Sequence, residues 1–205
     1  MGGSQVTGWL LVVGSITFCV GAGNPLLVRA WTAQQDLFLS IVARHPRAWL
    51  VTNVLFAVGT VLTAAGLVLL PASVPAGWPR EVAIAGATGF AIAAVLWLVS
   101  LVYRLAVQPS VARTFAETGT VDPWVATFDR LSGGLFQAFI VVAFAGLAAI
   151  GVATTAGGPI PAPLGWGVAT VSVLLVGVLL LVGDMPPFTV YLVSLAFGIA
   201  LLSTQ

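Results

Sequence analysis

Lysine is absent from this chain of 205 residues, and only 6% of its residues are charged. A soluble domain has about 25% charged residues, so these charges are too few to cover a water-facing surface. The absence of lysine excludes a cofactor or pigment held through a lysine Schiff base. No basic run is present either, and we therefore expect no nucleic-acid partner.

Cys19 is the single cysteine and His45 is the single histidine. An internal disulfide and a cysteine metal cluster are therefore excluded. A haem held by two histidines and a multi-histidine metal centre are excluded for the same reason. The sequence also lacks the motifs GxSxG and HExxH, the P-loop and the Glu-x-x-His of di-iron bundles. We expect no cofactor and no catalytic metal, and the sequence favours a protein that is not an enzyme.

Long hydrophobic segments dominate the chain, and 60% of its residues are hydrophobic. A helix needs about 20 apolar residues to cross the hydrocarbon core of a bilayer. We predict an all-α integral membrane bundle of six transmembrane helices, with one or two short interfacial helices in the cytoplasmic loops. The predicted helices form one polytopic domain over residues 1–205 and lie at about 6–22, 48–70, 82–107, 134–155, 164–182 and 188–202.

The third predicted helix, 82–107, carries small residues at intervals of four. Small residues at this spacing let a neighbouring helix approach closely in lipid, where packing drives association. We therefore expect close helix contacts along two stripes, which are Ala85, Gly89 and Ala93, and Ala83, Ala87 and Ala91.

The connecting segments predict elements outside the hydrocarbon core. Residues 26–44 place apolar side chains near one face of a helix and polar side chains elsewhere, and this amphipathic pattern is typical of an interfacial helix. In the polar stretch 108–133, Asp122 and Pro123 form a cap and first-turn pair, and we predict a short helix after them. The short link 183–187 predicts that the fifth and sixth helices form a hairpin.

The arginines indicate the orientation of the bundle. Three lie in the first loop and three in or beside the third, whereas the second loop contains Arg80 alone. By the positive-inside rule, the first and third loops are cytoplasmic. We predict a multi-pass protein of the cell membrane with both termini outside the cytoplasm.

Polar residues in or beside apolar helices are candidate site residues, because polar groups are costly in lipid. The candidates for a ligand site or transport path are Asp184, Arg104, Asn53, Gln137, Tyr103 and Trp97. One hypothesis is a polar cavity at the cytoplasmic end in which Arg104 faces Asp184. The alternative is structural: Asp184 caps a helix, Arg104 extends to the lipid headgroups, and the amides join helices.

The leading functional hypothesis is a non-catalytic membrane protein that binds a lipid or apolar small molecule, or that serves as an accessory subunit of a membrane complex. A small transporter or channel built from helical hairpins is the alternative. An intramembrane enzyme that uses Asp122, Asp129 and Asp184 is the third. We expect the lipid bilayer as a partner, and a homo-oligomer or a membrane complex remains open.

Overall fold

The computed structural model describes residues 3–204, and its regular structure in that range is helical. The predicted all-α bundle is confirmed. The α-helices are α1 (Gly3–Ala22), α2 (Gln35–Arg44), α3 (Pro46–Leu69), α4 (Trp78–Ala106), α5 (Gln108–Thr118), α6 (Pro123–Thr155), α7 (Ala162–Val182) and α8 (Phe188–Ser203). Short 3₁₀ turns cover Val28–Ala30 and Leu70–Ser73.

Five of the described segments are long and apolar enough to cross a membrane, which is the composition of a polytopic membrane protein. They are Gly3–Ala22, Pro46–Ser73, Trp78–Thr118, Pro123–Thr155 and Ala162–Val182. The sixth predicted helix is present as α8, which is apolar but has 16 residues. Its length of about 24 Å falls short of the roughly 30 Å hydrocarbon core.

An aromatic column joins the helices at the centre of the bundle. The ring of Phe18 stacks on Tyr191 at 3.6 Å and on Phe56 at 4.4 Å between centroids. Trp97 lies 6.1 Å from Phe56 and 5.3 Å from Phe139. These residues belong to α1, α8, α3, α4 and α6, and each is at most 2% exposed. The column therefore ties five helices into one core.

Paired glycines bring neighbouring helices into direct backbone contact. A methyl group on Gly146 of α6 would lie 2.6 Å from the carbonyl oxygen of Gly86 of α4. The same reciprocal contact recurs where α1 crosses α3, where α1 crosses α8 and where α6 crosses α7. Those pairs are Gly14 with Gly59, Gly8 with Gly198, and Gly151 with Gly165. Along their helices, all these contacts lie from the middle toward the end that carries Arg80, opposite the arginine-rich end that carries the other six arginines.

The predicted small-residue stripes of α4 are only partly correct. Ala83 and Ala87 are buried, but Ala85 is exposed and Gly89 is half-buried. The closest approach to α6 is at Gly86, which belongs to neither stripe. The reason is that spacing identifies a face able to approach a neighbour, whereas the packing of α6 selects which face is used.

The fourth predicted helix was placed too late in the sequence. The structure shows one continuous helix, α6, from Pro123, and the predicted short helix after Asp122 is its first turns. Gly133 and Gly134, at the start of the predicted span 134–155, lie within α6, and no atom outside the helix would lie within 4 Å of a methyl group on either. Glycines are frequent in membrane helices and do not by themselves end them.

The predicted hairpin of α7 and α8 is also wrong. Helix α7 packs along α6, whereas α8 packs along α1, so the two helices contact each other only sparsely. The glycine pairs explain this, because Gly165 is placed against α6 and Gly198 against α1. A short link restricts only the two ends that it joins.

Helices α2 and α5 pack against each other across the arginine-rich end of the bundle. Their buried face includes Leu39, Val42 and Val111, which join a second apolar cluster with Trp49. The predicted interfacial helix 26–44 is α-helical only from Gln35. Before it, the chain turns back because the Trp31 Nε1 donates to the carbonyl oxygen of Ala22 at 3.0 Å.

We predict that Gly146→Ala lowers the melting temperature of the detergent-solubilised protein. The new methyl group would meet the Gly86 backbone, which has no flexible side chain to yield, and overpacking of this kind costs about 1–3 kcal/mol. Gly177→Ala on α7 is the matched control, because nothing lies within 4 Å of its new methyl group. Alanine is the better helix former by about 1 kcal/mol, so the control is expected to match or exceed the wild type. Equal melting temperatures for Gly146→Ala and Gly177→Ala would contradict the glycine contact.

Candidate functional site

A cavity of about 590 Å³ opens at the arginine-rich end of the bundle. Its walls come from the ends of α1, α3, α4 and α6, from the first loop and from the link between α7 and α8. Its buried floor includes Phe56, Trp97 and Ser100. Exposed residues form its rim, and these are Val28, Thr32, Gly133, Asp184, Pro186 and Phe188.

The half-buried side chain of Arg104 lines this cavity between floor and rim. Its guanidinium carbon lies 4.9 Å from the ring centroid of Trp49 and 5.4 Å from that of Trp31. The rings of Trp97 and Phe56 follow at 5.7 and 5.8 Å. A cation within about 6 Å of an aromatic ring is attracted to it, so the four rings form a cage for Arg104.

Hydrogen bonds hold two rings of this cage in place. The Trp49 Nε1 donates to the backbone carbonyl of Arg104 at 2.8 Å and thereby ties α3 to the end of α4. The Trp31 Nε1 bond to Ala22, already described, holds the first loop beside α1. The cage is thus fixed by backbone contacts that do not involve the guanidinium group.

The guanidinium group itself has no hydrogen-bond or ion-pair partner among residues 3–204. Two acids line the same cavity. Asp129 accepts a hydrogen bond from the Tyr103 hydroxyl at 2.7 Å, and the exposed Asp184 accepts one from the Met185 backbone N–H at 2.8 Å. Neither acid forms an ion pair with Arg104. An arginine carries five N–H donors, so this side chain retains its full capacity to bind an anion.

Two further polar atoms of the cavity residues are buried and unpaired in the described part of the chain. They are the Nε1 donor of Trp97 and the Oε1 acceptor of Gln108. Trp97 is 1% exposed. Buried polar groups are nearly always hydrogen-bonded, so unpaired ones beside a cavity indicate a place where a ligand or water completes the bonding.

The candidate residues from the sequence divide into two groups. Arg104, Asp184 and Trp97 line the cavity together. The other three candidates do not line it but support residues near it. The Asn53 Nδ2 donates to the backbone carbonyl of Trp49 at 2.8 Å, and Gln137 reaches the carbonyl of Gly183 at 3.4 Å. Tyr103 holds Asp129.

Sequence reasoning missed most of the cage. Trp31 and Trp49 lie near predicted membrane interfaces, where tryptophan usually forms an aromatic belt, and this position does not distinguish them as site residues. Phe56 was not distinguished from other apolar residues of its helix. The signal in the sequence that could have indicated the cage is a single arginine at the end of an apolar helix, with several aromatic residues in neighbouring segments. It did not specify the distances, because the rings come from the first loop and from two helices that only the fold brings together.

The acids do not assemble a metal centre in the described residues. Asp122, Asp129 and Asp184 would have to converge for the intramembrane-enzyme hypothesis. No group of three potential metal ligands occurs among residues 3–204. Asp122 instead precedes the first turn of α6, with Pro123 following it.

We predict that Arg104→Met leaves the melting temperature of the unliganded protein unchanged or raises it. The wild type bears the cost of removing a cation from water without a counter-ion, and methionine fills similar space among aromatic rings. Trp49→Phe is the comparison, because it deletes the bond to the Arg104 carbonyl at a fully buried site. It should destabilise the protein by about 1–3 kcal/mol. If Arg104→Met were as destabilising as Trp49→Phe, the arginine would be structural.

The residues that line this cavity indicate its chemistry. They offer an unpaired cation inside an aromatic cage, buried unpaired polar atoms and two acids, one of which, Asp184, lies at the rim. No protein family, curated protein or solved structure matches this chain.

Proposed function

We propose that this protein is a non-catalytic membrane protein that binds an anionic amphipathic molecule, either a lipid or a small molecule, in the cavity around Arg104. The observation that supports the proposal is the guanidinium group, which lines a cavity of about 590 Å³ and has no described acidic partner.

The energetics of a charge near lipid support this proposal. Ionisable residues in membrane segments are costly, and they usually pair with an opposite charge or serve a function. The cation–π contacts of Arg104 offset part of that cost, at about 0.5–2 kcal/mol each. They leave all five N–H donors free. A carboxylate or phosphate would accept two of them in the bidentate geometry that arginine favours.

The cavity walls suit the apolar part of such a molecule. Small-molecule sites enclose roughly 300–1,000 Å³ and are mostly aromatic and aliphatic, with a few polar groups that orient the ligand. Here Phe56, Phe136 and Phe188 supply apolar wall from floor to rim. Asn53 and Gln137, which a transport path was expected to use, lie outside the cavity lining.

We predict that dodecyl phosphate, added to the protein in a maltoside detergent, changes the tryptophan emission in a saturable way. Trp31 and Trp97 line the cavity, so a bound molecule alters their surroundings. Arg104→Met should weaken this binding about 10- to 100-fold, because a hydrogen bond to a charged group contributes about 1.5–3 kcal/mol.

Arg130→Met is the matched control, since Arg130 is exposed and bonds only to the carbonyl of Ala126 in its own helix. It should leave the binding unchanged. Equal loss in both variants, or no saturable signal in the wild type, would overturn the proposal. Movement of the probe across proteoliposome membranes that depends on Arg104 would instead favour the transporter alternative.

For the orientation, we propose that the arginine-rich end faces the cytoplasm and that both termini lie outside it. The support is the clustering of arginine in the first and third loops. We predict that an impermeant maleimide applied to intact cells labels Ala76→Cys but not Thr120→Cys, both in a Cys19→Ala background. Both positions are exposed and lie at opposite ends of the bundle. The reverse labelling pattern would invert the topology.

A further inference from the structure

We infer that the ligand of this cavity is a zwitterionic amphiphile whose anionic group adjoins an apolar tail and whose cationic group lies outermost. The inference rests on the proposed function, because it assigns the anionic group of the ligand to Arg104. It adds a second recognition element, which is the carboxylate of Asp184 at the rim of the cavity.

The cavity orders its chemistry by depth. Trp97 and Phe56 are 1% and 2% exposed and form an aromatic floor. Arg104 is half-buried above them, and Asp184 is exposed at the rim. From its floor outward, the cavity lining is therefore apolar, then cationic at Arg104 and finally acidic at Asp184. A molecule that complements this order is apolar at one end, anionic next and cationic at the other end.

The two acids of the cavity, the exposed Asp184 at the rim and the half-buried Asp129, are available to a cation. The carboxylate of Asp184 accepts a hydrogen bond only from the Met185 N–H next to it in sequence. Asp129 has one oxygen bonded to the Tyr103 hydroxyl, which leaves the other oxygen. No described arginine or histidine forms an ion pair with either acid. The two carboxylates and Arg104 thus line one space without neutralising one another.

A simple anion would satisfy only part of this arrangement. It would neutralise Arg104 and leave the carboxylates of Asp129 and Asp184, whose charge repels an anion that enters past them. A cationic amphiphile has the opposite defect, since it would approach Arg104. A ligand that carries both charges pairs with each, and its cationic end can also donate to the unpaired Gln108 Oε1 if it bears N–H groups. Zwitterionic lipids and smaller zwitterionic amphiphiles share this chemistry.

Three probes with one tail separate the charges: dodecylphosphocholine, dodecyl phosphate and dodecyltrimethylammonium. We expect the wild type in maltoside detergent to bind the zwitterion most tightly, as followed by tryptophan emission. Asp184→Asn should weaken the binding of dodecylphosphocholine about two- to fivefold, as expected for the loss of an exposed ion pair. It should leave dodecyl phosphate unchanged or slightly tighter. Asparagine can still accept the Met185 N–H bond, so the turn is retained.

Asp36→Asn is the matched control, because Asp36 is an exposed acid of α2 outside the cavity lining. Dodecyl phosphate binding as tightly as dodecylphosphocholine, with no effect of Asp184→Asn, would overturn the zwitterion while leaving the Arg104 anion site intact. If Asp184→Asn weakened the binding of dodecylphosphocholine and of dodecyl phosphate equally, at an unchanged melting temperature, the assignment of a zwitterionic ligand would also be overturned. Failure of all three probes in the wild type would overturn the proposed function itself. Competition by a short-chain phosphatidylcholine distinguishes a membrane lipid from a smaller amphiphile as the source of the headgroup.

Discussion

Direct backbone contact between paired glycines is the constraint on which this bundle depends. Lipid tails are as apolar as leucine, so helices in a membrane gain little from hiding apolar surface and associate through packing. At the crossing of α4 and α6, Gly86 and Gly146 leave no room for even a methyl group. The same contact holds α1 against α3 and α8, and α6 against α7. These crossings decide which helices are neighbours, even against the connectivity of the chain, as the separation of α7 from α8 demonstrates.

The glycine contacts and the cavity occupy different parts of the bundle. The glycine pairs draw the helices together from the middle of the bundle toward the end opposite the arginine-rich one. At the opposite end the facing positions carry bulky side chains, among them Trp49 and Trp97. The cavity lies at that end, with Trp97 in its floor and away from the paired glycines. Helices α2 and α5 cover part of that end with a separate apolar cluster.

Arg104 gives this space its chemical character. Two of the four rings around it, those of Trp31 and Trp49, are anchored by hydrogen bonds of their indole N–H groups to backbone carbonyls, and these bonds do not involve the guanidinium group. The cation in turn has no described acid partner, although Asp129 and Asp184 line the same cavity. An apolar side chain would serve stability equally well, and this is the reason why we propose a binding role for the arrangement.

The sequence by itself determined the class of this protein. The scarcity of charge and the long apolar runs required a helical membrane bundle, and its six candidate site residues included Arg104, Asp184 and Trp97. Only the tertiary structure decided that these three residues share a cavity, that Asn53 and Gln137 do not line it, and that Trp31, Trp49 and Phe56 surround Arg104. The physical reason is that composition and periodicity report the preference of each segment for lipid or water. Distances between segments depend on which small residues meet at the crossings, and many faces of these helices are equally able to pack.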